Sequence, residues 1–561
     1  MKYCPKCHRE YPDETLNYCL DDGEPMVDVD LPSEARTAVK IPPPHADTPR
    51  RGDSADRTEL LPHAPRKADR RLWIIAAVAA FMAAAGVFVY RSLSVQTNSP
   101  ISSIAVLPFQ NRNTDADSEY LSDGLAESLI YRLSQLPDLK VSPTSTVFRY
   151  RGSEADPVKI GGELGVNAVL SGRIVQHGDS LTISVDLVDV RDNRQLWGEQ
   201  YNRKISDLLS TQREIAREIV DKLKLGSEST GQDLAKNYTE SNEAYKLYLK
   251  GRFYWNKRTP DALDKAIDYF QQAIGSDPRF ALAHAGLADC YVVPSNGLPP
   301  KVAMPKAKAA AERALALDNT LAEAHTSLAR VLMSYEWDWA GAENEFKRAI
   351  ELNPKYPVAH EWYGGYLEAT GNSAGAIAER KLALELDPLS LIINFELGQA
   401  YFYARDYDRA IQQYQKTLDL DPGFPAAYQF LPVAYEQKGN YDEAIARFKA
   451  SPLMNRAGEW TFTKAGLGHV YGLAGQKTEA LAMVDELKEL SKKQYVPAAS
   501  IALVYAGIGD KDQAFEWLNK AYEDHAFQIQ WIGIDPRWDN LRPDPRFQDL
   551  IRKIGLAKST G

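Results

Sequence analysis

Cysteine is almost missing from this chain. Four occur in 561 residues; Cys4, Cys7 and Cys19 crowd the start, and Cys290 stands alone far downstream. That placement excludes a disulfide-stapled secreted fold, which needs pairs spread through the chain. A net basic charge is missing too: 66 Lys and Arg against 76 Asp and Glu leave −10. Phosphate contact needs a basic face, so nucleic-acid binding over the whole length is excluded, although a small basic module stays open. No G-x-x-x-x-G-K-[ST] loop, H-E-x-x-H, G-x-S-x-G or kinase signature set occurs, and the chain therefore reads as a non-enzyme. Long apolar runs are absent with one exception.

The exception is LWIIAAVAAFMAAAGVFVY at 72–90, nineteen residues without a charge. That length spans a bilayer core as a helix, and 72–92 is read as one transmembrane segment. It starts too deep in the chain for an ordinary signal peptide. Arg51, Arg57, Arg66, Lys67, Arg70 and Arg71 precede it closely, while only Arg91 follows at once. The positive-inside rule puts the N-terminus in the cytoplasm and the rest outside a bacterial inner membrane. Clustered thiols, which need a reducing compartment, agree. Ala76, Ala80 and Ala84 share one helix face, and small residues at that spacing suit a homodimer.

Residues 27–71 carry seven prolines and scattered charge without helical or strand period, so they read as a disordered linker. Residues 1–26 are different. Cys4-Pro-Lys-Cys7 is a C-x2-C turn, and Cys19 with Asp22 forms a C-x2-D turn. Two such turns can hold a tetrahedral structural Zn2+ whose binding supplies the folding energy of so short a segment. Cys4, Cys7, Cys19 and Asp22 are the candidate ligands, with His8, adjacent to Cys7, as the competitor for the fourth place. With Tyr11, Tyr18-Cys19 and Asp22-Gly23, the segment resembles the short N-terminal zinc ribbons of bacterial membrane and signalling proteins.

Residues 101–225 change period repeatedly. Strands are predicted at Ile101–Phe109, Leu139–Val141, Ala168–Gln176, Leu181–Asp189 and Gln195–Asn202, and helices at Ser118–Leu136, Val158–Leu164 and Ile205–Leu223. This is an α/β domain ending in an antiparallel meander. IAVLPF at 104–109, EYLSDGLAESL at 119–129 and GGELGVNAVLSGRI at 161–174 resemble the TolB N-terminal-like domain. That resemblance implies an assembly or sensing module between a membrane span and helical repeats. Asp123 and Glu127 lie one helical turn apart and read as a solvated face.

From Asn242 the chain repeats itself. Small residues or a proline recur at Gly251, Ala288, Ala329, Gly364, Gly398, Pro432, Gly468 and Ala502, mostly at steps near 34. That is the tetratricopeptide period, and about eight repeats fill 242–526 as an all-α superhelix. His284, His325 and His360, followed by Tyr428, occupy equivalent places and read as packing residues. Pro432 inside a first helix predicts a kink. Residues 527–561 read as a C-terminal cap. By resemblance to other tetratricopeptide proteins, the concave side binds proteins or peptides, with Glu361, Glu368, Phe395, Gln399, Phe402, Gln429 and Glu436 as candidate contacts.

The whole reads as a membrane-anchored interaction or sensory scaffold. The alternative is a membrane-tethered regulator whose ribbon contacts nucleic acid or transcription machinery. Acidic residues outnumber Lys2, Lys6 and Arg9 in the ribbon, which favours a protein partner.

Overall fold

The computed structural model describes residues 101–112, 119–136, 138–153, 156–225, 238–257, 259–293, 297–455 and 460–556, plus three short N-terminal strands. Two compact units result, Met1–Gln96 and Thr97–Gly561. In the first, β1 (Lys2–Tyr3) pairs antiparallel with both β2 (Glu10–Tyr11) and β3 (Val27–Asp28). Cys4, Cys7, Cys19 and Asp22, and the apolar run 72–92, lie outside the described residues. Among the described residues no helix is long and apolar enough to cross a membrane, and no three metal-ligating side chains cluster.

The second unit begins with the α/β domain. Its strands are β4 (Ser103–Val106), β5 (Gln110–Asn111), β6 (Lys140–Val141), β7 (Ala168–His177), β8 (Ser180–Asp189) and β9 (Arg194–Lys204). The sheet order is β6-β4-β7-β8-β9, with β5 also on β7. β4 runs parallel to β6 and β7, while β7, β8 and β9 form the antiparallel meander. Alternation sets the register: Leu181, Ile183, Val185 and Leu187 of β8 are buried in turn. The helices are α1 (Glu119–Ser134), α2 (Thr144–Val147), α3 (Pro157–Leu164) and α4 (Leu208–Leu223). α3 shows its local logic fully, with Asp156 as N-cap, Pro157 in its first turn and Gly165 left-handed at its end. The short α2 had no sequence signal, because four residues carry no period.

Eight helix pairs follow. The first helices are Asn242–Trp255, Ala281–Val292, Ala322–Val331, Pro357–Ala369, Leu391–Tyr403, Pro425–Gln437, Trp460–Leu473 and Ala498–Ile508. Their partners are Pro260–Ser276, Pro300–Leu317, Trp339–Leu352, Ser373–Leu386, Tyr407–Leu420, Tyr441–Ala450, Lys477–Ser491 and Lys511–Glu523. The small periodic positions have a steric cause. A Cβ on Gly251 would sit 2.6 Å from the Phe270 ring, and one on Gly398 2.5 Å from Tyr414. Three of the turns between repeats are latched by the histidine stripe. His284, His325 and His360 each hydrogen-bond the carbonyl of the residue six positions earlier: Pro278, Asn319 and Pro354. Asn394 and Tyr428 do the same to Pro388 and Pro422. The helix containing Pro432 runs unbroken from Pro425 to Gln437 with Pro432 buried, so the predicted kink does not end the helix.

The superhelix curls until it meets itself. A π-turn at Leu332–Glu336 puts Trp337 at φ 56°, and its ring stacks on Tyr522 and on His525 (centroids 5.0 and 4.5 Å). The third repeat thereby touches the end of the eighth.

Candidate functional site

Two regions of the second unit gather polar groups against aromatic walls. One is the concave groove. Helix period alone brings its seven predicted contacts onto first helices, but five of them are interior. Phe402 is 0% exposed, packed among Tyr403, Tyr407 and Phe430. Phe395 packs against Tyr414 and Phe430. Glu361 accepts a hydrogen bond from Trp362 Nε1 at 3.1 Å. Glu368 accepts from Arg380 Nη2 at 3.0 Å, and Glu436 from His469 Nδ1 at 3.0 Å. Only Gln399 and Gln429 keep partial exposure. The expectation of an open contact surface at Glu361, Glu368, Phe395, Phe402 and Glu436 is therefore corrected. Side chains of their own and neighbouring repeats cover them.

That C-terminus does more than cap the last repeat. Gln530 accepts a hydrogen bond from Ser334 at 2.9 Å, and Phe527 lies under the Arg330 guanidinium at 4.8 Å. Trp531 stacks on Tyr403 (5.7 Å, 15°). Arg537, ion-paired with Asp535, lies over Phe462, and Asp539 pairs with Arg405. Asn540 donates to the Ala506 carbonyl, and Trp339 donates to that of Ile554. Residues 525–541 thus reach the third, fifth, seventh and eighth repeats. Beneath them lies a charged floor: Arg380 is shared by Glu368 and Glu396. Burial pushes the Glu368 carboxyl up to about 8 despite Arg380, and pushes the Arg330 guanidinium down to about 10.

The second region lies where the α/β domain meets the repeats. α1 packs along the first repeat helix, close enough that a Cβ on Gly124 would sit 3.0 Å from Leu249 Cβ. Glu127 accepts from Arg252 Nε at 2.7 Å and Asn256 Nδ2 at 2.8 Å, and Ser128 bonds the Tyr245 hydroxyl at 2.6 Å. Asp123 is 2% exposed and ion-paired with Arg151. The reading of Asp123 and Glu127 as a solvated face is corrected: their partners lie far along the chain, where no local pattern reveals them. Burial raises the Asp123 carboxyl to about 6 even so. Further along, Asp387 accepts from Ser145 and Thr146, Arg149 donates to the Leu420 carbonyl, and Lys355 donates to that of Leu139. The domain is therefore fastened to the first repeat and to three later inter-repeat turns.

Between these fastenings is a cavity of about 1010 Å3. Its walls include Tyr131, Tyr238, Tyr245, Tyr248, Trp255, Phe280, Val358 and Phe424, with Glu127, Arg132, Arg252, Asp289 and Glu323 among its polar groups. A pocket of this size and mixed lining is ordinary for an organic ligand. Neither the size nor the lining is visible in a helix-by-helix reading.

Residues 338–390 and 395–453 match a tetratricopeptide repeat model. The helical part is a tetratricopeptide superhelix. Residues 100–219 match the model of the HilA/YgeH-like transcriptional regulator, second domain, where the sequence resemblance was to TolB N-terminal-like domains. "Putative adenylate cyclase 3" of Rhizobium meliloti is 30% identical over 238 residues, 41% of this chain and 40% of that protein. "Transcriptional regulator HilA" of Salmonella typhimurium is 25% identical over 281 residues, 49% of each chain. The chain spans half or less of the length of these curated relatives. Among solved structures, a human IFIT1 dimer with PPP-AAAA is 15% identical, with TM-score 0.40, covering 56% of this chain and 79% of that one. Pseudomonas aeruginosa pilF is 19% identical, with TM-score 0.30, covering 39% and 95%. The cyclase relative overturns the non-enzyme reading: absent motifs do not exclude activity when a relative at that identity is named for one.

Proposed function

We propose that this chain is a regulatory interaction scaffold whose repeat groove takes a protein partner in exchange for its own C-terminal segment. One observation carries the reading. Residues 525–541 lie against first helices of several repeats through an aromatic stack, ion pairs and backbone carbonyls, as a bound peptide would. The likeness of residues 100–219 to a domain of transcriptional regulators supports the regulatory part. The scaffold is anchored in a bacterial inner membrane by 72–92, with the repeats outside and the N-terminus in the cytoplasm; the charge asymmetry around that run supports this. At the N-terminus Cys4, Cys7, Cys19 and Asp22 hold a structural Zn2+. Support comes from the pairing of Lys2–Tyr3 with Glu10–Tyr11 on either side of the first C-x2-C turn.

The test uses the full-length chain and a fluorescent peptide of residues 525–542. The peptide binds the Trp531→Ala chain, is competed by unlabelled peptide, and fails to bind the wild type. A Trp531→Ala chain that keeps its helical signal yet never binds the peptide sinks the reading. The second reading, a ribbon that contacts transcription machinery, draws on the HilA relatives. A salt-sensitive DNA mobility shift by the full chain, lost on zinc chelation, would favour it.

A further inference from the structure

We propose that the cavity between the α/β domain and the repeats binds an organic cation, a primary or secondary amine on an apolar body, with Glu323 as its counter-ion. The site is independent of the groove and of what the groove binds.

Arg252 is held between Glu127 and Asp289, at 2.6 and 3.6 Å, so its charge is matched twice over. Asp289 also accepts from the Ser327 hydroxyl, and Glu127 from Asn256. Arg132 donates to Gln212 and lies over the Tyr238 ring at 5.4 Å. Glu323, in the first turn of its helix, lines the same cavity, and among the described residues no other residue gives its carboxylate a hydrogen bond or an ion pair. It is walled in by protein yet keeps intermediate exposure, because the surface it shows faces the cavity. The groups that act on it are Asp289, Asp318 and Arg252 among charges, and Tyr131, Tyr238 and Tyr248 among hydroxyls. Two nearby carboxylates against one arginine leave this end of the cavity short of positive charge.

A desolvated carboxylate among aromatic faces is a receptor for a cation, by charge pairing and by the ring quadrupoles. Tyrosine hydroxyls and the carboxylate together offer several acceptors to an ammonium N–H. Beyond them the walls turn apolar through Phe253, Phe280, Leu282, Val358 and Phe424, which suits a hydrophobic body. Burial holds the empty-site Glu323 carboxyl up at about 7. An arriving cation favours the ionised form, so binding releases a proton below that pH and tightens as pH rises towards it.

The experiment is calorimetric titration of the full-length chain with phenethylamine, with 2-phenylethanol as neutral control and 3-phenylpropionate as anionic control. The amine binds; the controls do not. Its affinity rises between pH 6 and pH 8 by up to about tenfold per unit below the carboxyl's titration point. Glu323→Gln keeps the shape of the side chain, weakens the amine at pH 8 by about tenfold or more, and flattens the pH profile. Preference for 3-phenylpropionate on the wild type overturns the proposal whatever the variant does. So does equal binding of the alcohol, absence of amine binding at about millimolar concentration, or an unchanged pH profile in Glu323→Gln.

Discussion

The groove and the interdomain cavity are both enclosed by parts of the chain folding back on the repeats, but by different chemistry. In the groove, large aromatics do the closing: Trp531 stacks on Tyr403, and Trp337 on His525. The rings meet face to face, the ion pairs Arg537–Asp535 and Arg405–Asp539 flank them, and Arg380 meets Glu368 and Glu396 on the floor. At the cavity, polar side chains do the fastening: Glu127 with Arg252, Asp387 with Ser145 and Thr146. Hydrogen bonds fix points rather than surfaces, so space remains between them. An aromatic closure makes a plug, and a polar closure makes a chamber.

Breaking each closure sharpens the contrast. The largest effect is expected from Arg380→Ala, which strands Glu368 and Glu396 without their cation; about 3–5 kcal/mol of stability is lost in chemical denaturation. Trp531→Ala removes a half-buried ring from the groove and costs about 2–3 kcal/mol, less than truncation of a fully buried aromatic. Its signature is faster hydrogen exchange across 525–541, with the α/β domain unaffected. Glu127→Ala leaves Arg252 with Asp289 alone and costs about 2 kcal/mol, read as faster exchange along α1 and the first repeat helix. Asp387→Asn weakens two hydroxyl contacts for about 1 kcal/mol and loosens residues 144–150 only.

A further effect concerns pH. Glu323 titrates at about 7 in the folded chain against an ordinary 4.5, so the fold holds that proton more tightly than the unfolded chain does. Its contribution to stability is full below about pH 4.5 and is lost as pH rises through about 7. Glu323→Gln should therefore flatten thermal stability across that window and be the more stable form at pH 8. A wild type and variant with parallel pH profiles would contradict this.

Much of the fold was legible. The middle strand of the meander, β8, shows strict alternation, and the meander's turns carry Gly178 and Asn193 at positive φ. The repeats declared themselves through small residues that a neighbouring ring forbids to grow. The histidine stripe read as packing is packing, with a turn-closing hydrogen bond added. The sites were much less legible. Phe395 and Phe402 were groove contacts by resemblance to other tetratricopeptide proteins; that resemblance does not say that Phe430 and Tyr414 pack against them. Glu127 looked solvated because Arg252 is 125 residues away.

The sequence by itself determined the repeat period of the second unit and its helices and strands other than the short α2 and β5. These depend on local periodicity, turn chemistry and the size of single side chains, all of which are written within one turn or one repeat. Only the tertiary structure decided how far the superhelix curls, that residues 525–541 enter its groove, and that a chamber survives beside Glu323. Each of those depends on small rotations summed over eight repeats and on partners far apart in the chain, and no local pattern records either.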